Sequence, residues 1–236
     1  MNLDVGKNKI IERKVAGYVM AGGASRRFGT DKALVEFDGK SLLSRICGFV
    51  QTATGSVCVI APRGRYSDVD VSVVEDRWPD EGPLGGIITA LKATEESGSG
   101  LERNLIVSCD MPFLTREWLA YLCERAQACD GDVIVPRSAH GLEPLCACWR
   151  TSAAAPLQAA FDEGVRKVAD AMQHLHTEVL DEKHWKRFDS AGQLFWNMNT
   201  PQDYEVALRA WERGKGERDV DHESAGRDGG KFRQLL

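Results

Sequence analysis

Short apolar runs closed by glycine, aspartate or proline alternate along this chain with longer stretches whose apolar residues recur at helical spacing, a pattern that leaves few architectures open. Val15–Ala21 reads as a buried strand running into glycines, and after the turn signal Asp38-Gly39 the residues Leu42, Leu43, Ile46, Phe49 and Val50 form one apolar stripe of a helix. Strands are expected at Val57–Ala61 and Val71–Glu75, then a proline-started helix over Pro83–Ala93 with Leu84, Ile87, Ile88 and Leu91 on its inner face. Asn104–Ser108 is a further strand, Thr115 caps a helix through Arg125, and Asp132–Pro136 and Leu145–Trp149 are strands again. Helical stretches follow near Thr151–Phe161 and over Pro201–Arg213, the second opened by Asn199-Thr200-Pro201. Strands separated by helices of this length imply βαβ units with right-handed crossovers, hence a Rossmann-like, three-layer α/β fold with a mainly parallel sheet. Ligands in such sheets bind beyond the carboxyl ends of the strands.

The 236 residues suffice for one domain, expected over residues 15–211, between a flexible segment at 1–14 and a disordered tail at 212–236 in which Glu212–Lys231 is charged and glycine-rich with almost nothing apolar. Lys and Arg total 30 against 35 Asp and Glu, a formal net charge of −5, so no global basic field is available to hold nucleic acid. An anionic ligand must find its positive charge locally. The start, MNLDVGKNKIIERK, lacks an apolar signal core, and no stretch approaches the ~20 apolar residues of a membrane span, so a cytoplasmic protein with no membrane partner is expected. The seven cysteines contain no C-x-x-C pair; Cys146 and Cys148, two apart on one strand face, read as small core hydrophobes.

That local charge sits in "VMAGGASRRFGTDKA" (19–33), where glycines free backbone N–H groups to line a concave anion site beside Arg26, Arg27 and Lys32. Two common phosphate motifs fail here. A P-loop needs G-x-x-x-x-G-K-[ST], whereas Gly29 is followed by Thr30-Asp31-Lys32-Ala33; the dinucleotide fingerprint G-x-G-x-x-G fails at Gly22-Gly23-Ala24-Ser25-Arg26-Arg27.

What remains, A-G-G-x-S-R-R-[FM]-G-x-D-K directly after the first strand, resembles the signature of the MobA-like nucleotidyltransferases, above all the molybdenum cofactor guanylyltransferases. "VVEDRWPDEGPLGGI" (73–87) resembles that family's E-D followed by G-P-L-x-G, "VSCDMPFL" (107–114) its C-D-x-P, and "FWNMNTPQD" (195–203) its F-x-N-x-N-T-P; "LEPLCACWR" (142–150) and "DEGVRKV" (162–168) also fit. The blocks keep family order over roughly residues 15 to 210. The resemblance implies transfer of GMP from GTP to the terminal phosphate of molybdopterin, with Mg²⁺ as cofactor and pyrophosphate released. It makes GTP and molybdopterin the partners, with molybdoenzymes or their chaperones as candidate recipients of the product. The residue types suit that chemistry: a phosphomonoester has a second pKa near ~6, so the acceptor is already anionic and the site needs charge neutralisation and positioning rather than a strong base.

By the same resemblance Met20, Ala21, Gly22 and Gly23 present backbone amides to the triphosphate, Arg27 forks onto phosphate oxygens, Lys32 stabilises charge at the α-phosphate and Asp110 holds the Mg²⁺. Asp76, Gly82 and Pro83 belong to nucleotide binding, and Asn197 and Asn199 complete the metal or acceptor site. Arg166 and Lys167 match an element suited to the acceptor phosphate, Ile60 stands where some relatives carry asparagine near the guanine, and "LEPLC" replaces a His-Pro-Thr version. Plain structural uses stand beside these roles: a tight strand-to-helix turn for the glycines, a solvated surface for Arg26, a helix cap for Asp110 or Asn199, a helix start for Pro83 and an exposed helical charge pair for Arg166 and Lys167. The competing functions are cytidylyl transfer or nucleotidyl transfer to another small acceptor, and a nucleotide-binding adaptor without chemistry. Met-Ala-Gly-Gly together with N-x-N-T-P leans toward guanylyl transfer.

Overall fold

The computed structural model describes residues 15–22, 31–66, 69–189 and 191–213. Strand β1 (Val15–Met20) is followed by a 3-10 turn at Lys32–Leu34, the small hairpin β2 (Glu36–Phe37) and β3 (Lys40–Ser41), helix α1 (Leu42–Thr54), β4 (Cys58–Ala61) and β5 (Ser72–Glu75). Helix α2 (Pro83–Glu96), β6 (Arg103–Ser108), α3 (Arg116–Gln127), β7 (Val133–Ser138), β8 (Gly141–Leu142) and β9 (Cys146–Arg150) come next. The chain continues through α4 (Ala154–Asp162), α5 (Val168–Ala171), β10 (Thr177–Leu180) and α6 (Glu182–Trp185) to a helix, α7, over residues 201–213. Glu212 and Arg213, which composition assigns to the tail, therefore continue this helix.

The main sheet has the order β10-β7-β9-β6-β1-β4-β5, with β8 paired to β7. All pairs on the path are parallel except those of β9, which runs antiparallel to both β6 and β7. Side chains alternate across it with period 2. Val19, Leu105, Val107, Cys146 and Cys148 point to the face covered by α1 and α3, where Leu43, Ile46, Leu119 and Leu122 meet them. Tyr18, Ile106, Ala147 and Trp149 point to the other face, against Leu84, Ile87 and Leu91 of α2 and Leu157 of α4. The expected three-layer α/β architecture is thus present, and both cysteines of β9 are buried core residues. Among the described residues no helix is long and apolar enough to cross a membrane.

Helix α1 starts on Ser41, whose Oγ accepts from Ser44 N at 3.2 Å, and ends on Gly55 in the left-handed region at φ 85°. Its carboxyl end lies so close to β1 that Gly17 has no room for a side chain. A Cβ there would meet the carbonyl of Ser56 and lie 2.5 Å from both Thr54 Oγ1 and Val50 Cγ1. Gly17→Ala is expected to cost about 1–3 kcal/mol through overpacking, read as a lowered midpoint in chemical denaturation. An unchanged midpoint would show that α1 yields without cost.

Candidate active site

The sheet order reverses between β1 and β6: from β1 the chain builds outward through β4 and β5, then returns to place β6 on the opposite side of β1. Strands that part in this way open a crevice at their carboxyl ends. Ala21 and Gly22 leave β1 there, held by Ala21 N on Ile60 O at 2.9 Å and by Cys109 N on Met20 O at 3.1 Å. A Cβ on Gly22 would come within 3.0 Å of Pro62 Cδ, and one on Gly86 would strike Met20 Cε, so both glycines permit close backbone approach along this wall. Helix α2 opens beside β5 with Gly82 as N-cap at φ 92° and Pro83 in its first turn. Among the described residues no side chain caps it, which leaves its first amides with hydrogen-bonding capacity.

On the β6 side, Asp110 follows Ser108 and Cys109 off the strand end. Lys32 Nζ donates to its Oδ2 at 2.9 Å and to Asn199 Oδ1 at 3.4 Å. Three segments far apart in sequence meet at that ammonium. The pair is largely shielded, with 20% of the Lys32 and 15% of the Asp110 side chain exposed. Asp110 Oδ1 is buried and among the described residues has no hydrogen-bond partner. A carboxylate oxygen kept from water in this way needs a donor or a cation to offset its desolvation.

Each arm of this cluster is fixed locally. Asp31 caps the 3-10 turn by accepting from Ala33 N at 3.1 Å, and its other oxygen takes the guanidinium of Arg65. Burial, with the hydrogen bond and negative charge of Asp31, pushes the Tyr66 phenol above its ordinary range and keeps it neutral. Met198 N donates to Asp110 O at 2.8 Å, tying the asparagine segment to the strand end. Thr200, not Asn199, caps α7: Thr200 Oγ1 accepts from Asp203 N at 3.1 Å while Asp203 Oδ2 takes both Asn199 N and Thr200 N at 2.8 Å. Asn199 thereby loses the capping use its position suggests, and its side chain is left to Lys32.

The other sequence candidates divide. Gly23, Arg26 and Arg27 lie outside the described residues. Among the described residues Asn197 makes a 3.5 Å contact from Nδ2 to Phe195 O and no other side-chain hydrogen bond. Asp76 sits at the end of β5 but is engaged structurally, its Oδ1 accepting from Trp78 N at 3.1 Å and from Thr89 Oγ1 at 3.3 Å. Arg166 and Lys167 fall in the turn after α4 rather than on a helix; Arg166 binds Glu81 at 2.7 Å and stacks 3.9 Å from the Phe161 ring. Ile60 is buried against α2 and offers a base no polar group. Sequence reasoning missed Arg65 and Tyr66, whose only signal is a turn after β4, and Glu143, an acid lodged among apolar residues of "LEPLC".

Doubly wound α/β proteins take their ligands at this switch point. A Lys–carboxylate pair placed there, between a glycine-lined strand end and an uncapped helix start, puts the chain in the phosphate-handling class of that fold. The chain belongs to the MobA-like NTP transferase family, whose domain matches residues 17–178. A "Probable molybdenum cofactor guanylyltransferase" of Chloroflexus aggregans is 32% identical over 203 residues, a match covering 83% of this chain and 94% of that protein. The molybdenum cofactor guanylyltransferase of Desulfosudis oleivorans is 28% identical over 203 residues, covering 85% and 98%. Among solved structures, molybdopterin-guanine dinucleotide biosynthesis protein A from Archaeoglobus fulgidus superposes with a TM-score of 0.72 at 24% identity, covering 84% of this chain and 99% of that one. At that identity the likeness speaks for the fold.

Proposed function

We propose that the protein transfers GMP from GTP to the phosphate of molybdopterin, releasing pyrophosphate, as a cytoplasmic enzyme. The observation that carries this reading is the gathering of Lys32, Asp110 and Asn199 at the switch point of a family nucleotidyltransferase domain. The names of the full-length relatives supply the substrates.

Both reactants are anions, so the chain's own residues must position them and neutralise charge. In this reading the backbone of Met20, Ala21, Gly22 and Gly23 cradles the triphosphate, Gly82 and Pro83 open the stretch whose backbone meets the base, and Asp76 holds the turn against which the nucleotide rests. Lys32 sits with its ammonium where charge grows on the α-phosphate, and Arg27 adds a forked contact. The acceptor phosphate, already ionised, attacks without a protein base.

A divalent cation fits the donor set. Asp110 Oδ1 is a hard oxygen with no partner among the described residues, and Asn199 brings a second oxygen to the Lys32 ammonium that the other Asp110 oxygen meets. Mg²⁺ is bound through one or two carboxylates with phosphates and waters completing its shell, and when bound it neutralises and aligns phosphate oxygens. Among the described residues no three His, Cys, Asp or Glu side chains gather into an all-protein cage. In this reading Asp110 is the metal ligand, with Asn197 and Asn199 supporting it.

Selectivity for GTP is the direct test. Backbone groups around Gly82–Gly86 that read the guanine edge would be left unpaired by adenine, at about 1–3 kcal/mol for each unsatisfied group. Pyrophosphate release from GTP, ATP, CTP and UTP, each with saturating molybdopterin, is expected to favour GTP at least about tenfold over the others. Equal turnover of GTP and ATP, or a preference for CTP, would overturn the guanylyl assignment.

A further inference from the structure

We infer that Glu143 recognises the heterocycle of the acceptor, its carboxylate receiving the two adjacent N–H donors on the 2-amino edge of a pterin. This assignment rests on the transfer reading above and names the group that selects its acceptor.

The sheet order divides the crevice. On one side of the β1–β6 gap stand β4, β5 and the start of α2, with the close-approach glycines Gly22 and Gly86. On the other stand β6, β9 and β7. With the nucleotide on the glycine-lined side and the phosphates at Lys32 and Asp110, the acceptor must extend over β6, β9 and β7. The turn that closes this half runs from β8 to β9 through Glu143.

Its placement is tightly determined. Glu143 N donates to Pro136 O at 2.9 Å, Glu143 O accepts from Cys146 N at 3.0 Å, and Ser108 N donates to Leu145 O at 2.8 Å. Because β6 and β9 are antiparallel with Val107 opposite Cys146, the chain leaving β6 toward Asp110 passes the chain entering β9 from Glu143. The two carboxyl groups therefore stand at the same end of neighbouring strands. Burial is the largest influence on the Glu143 side chain and raises its proton affinity; the hydrogen bond from Ser138 and the charge of His140 work against it, and the charge of Asp110 adds to it.

Glu143 is 9% exposed, and among the described residues it has no Lys or Arg partner. Ser138 Oγ donates to its Oε1 at 2.6 Å, which orients the carboxyl but leaves most of its acceptor capacity unused. A carboxylate withdrawn from water is costly unless donors meet it. The pterin ring carries N3–H beside the 2-amino group, two parallel donors that match a carboxylate as a guanidinium fork does. Guanine carries an equivalent donor pair, so the position of Glu143 on the acceptor side is what assigns it to the pterin.

Two phosphate-free probes, pterin and its 2-oxo analogue lumazine, separate the possibilities on the full-length protein, since their own fluorescence reports binding. Pterin should compete with molybdopterin and bind about tenfold or more tighter than lumazine. Glu143→Gln, which keeps the Ser138 contact, should erase that preference and raise the KM for molybdopterin about tenfold, with the KM for GTP within about twofold of wild type. Equal wild-type affinity for the two probes overturns the assignment without any mutation, whatever the variant's folding. A rise in the KM for GTP instead places Glu143 at the nucleotide base and overturns it too. Loss of all GMP transfer by the wild type would refute the transfer reading and the Glu143 assignment together, whereas normal wild-type transfer with indifferent probes refutes the Glu143 assignment alone.

Discussion

Asp110→Asn is expected to fold like the wild type and to lose GMP transfer by about two to three orders of magnitude. Asparagine preserves the shape at the end of β6 and still offers Lys32 an oxygen in place of the 2.9 Å contact to Oδ2. Removing the charge relieves the desolvation of Oδ1, which is buried without a partner among the described residues, and this offsets much of the cost of leaving the Lys32 ammonium without its carboxylate. A hard cation, by contrast, loses its charged ligand, and the loss falls on the chemical step more than on nucleotide binding. Circular dichroism alongside pyrophosphate release over a Mg²⁺ titration makes the comparison. A folded variant with wild-type turnover and the same Mg²⁺ dependence would place the metal elsewhere.

Lys32→Met should cost the chemical step a comparable amount, about 10²- to 10³-fold, for a different reason. Methionine fills the volume of the stem but removes the ammonium that reaches Asp110 and Asn199. With only 15% of the Asp110 side chain exposed, the carboxylate is then left without its cation, so this variant should lose more stability than Asp110→Asn. Because the two groups touch, the double variant should lose less activity than the product of the single losses. Single-turnover rates and denaturation midpoints for the three proteins test this. Losses that multiply would mean that Lys32 and Asp110 act independently, contrary to the 2.9 Å geometry.

The elements legible in the sequence are those with strong periodicity and unambiguous ends. Thr115 caps α3 as its position suggests, accepting from Trp118 N at 3.2 Å, and Pro83 starts α2. The strand β10, Thr177–Leu180, escaped because an edge strand with half-buried polar residues shows no apolar run. The reversed direction of β9 was also hidden, since a strand's own residues say little about its neighbours; it follows from the tight β7–β8 pairing of Ser138 with Gly141, which turns the chain back. At the site, the motif residues Lys32, Asp110 and Asn199 converge because each leaves a strand end or helix start on the same side of the sheet. Glu143 was not legible, since nothing in "LEPLC" tells that Ser138 and the end of β7 close over it.

The most direct measurement follows a labelled α-phosphate. GTP carrying the label at that position is incubated with purified protein, Mg²⁺ and molybdopterin, and the products are separated. Guanylyl transfer predicts label in a guanine dinucleotide of the pterin, with an equal amount of unlabelled pyrophosphate and no transfer by Asp110→Asn above about one part in a hundred. Label that stays in GTP or appears as free GMP while molybdopterin is unchanged would contradict it.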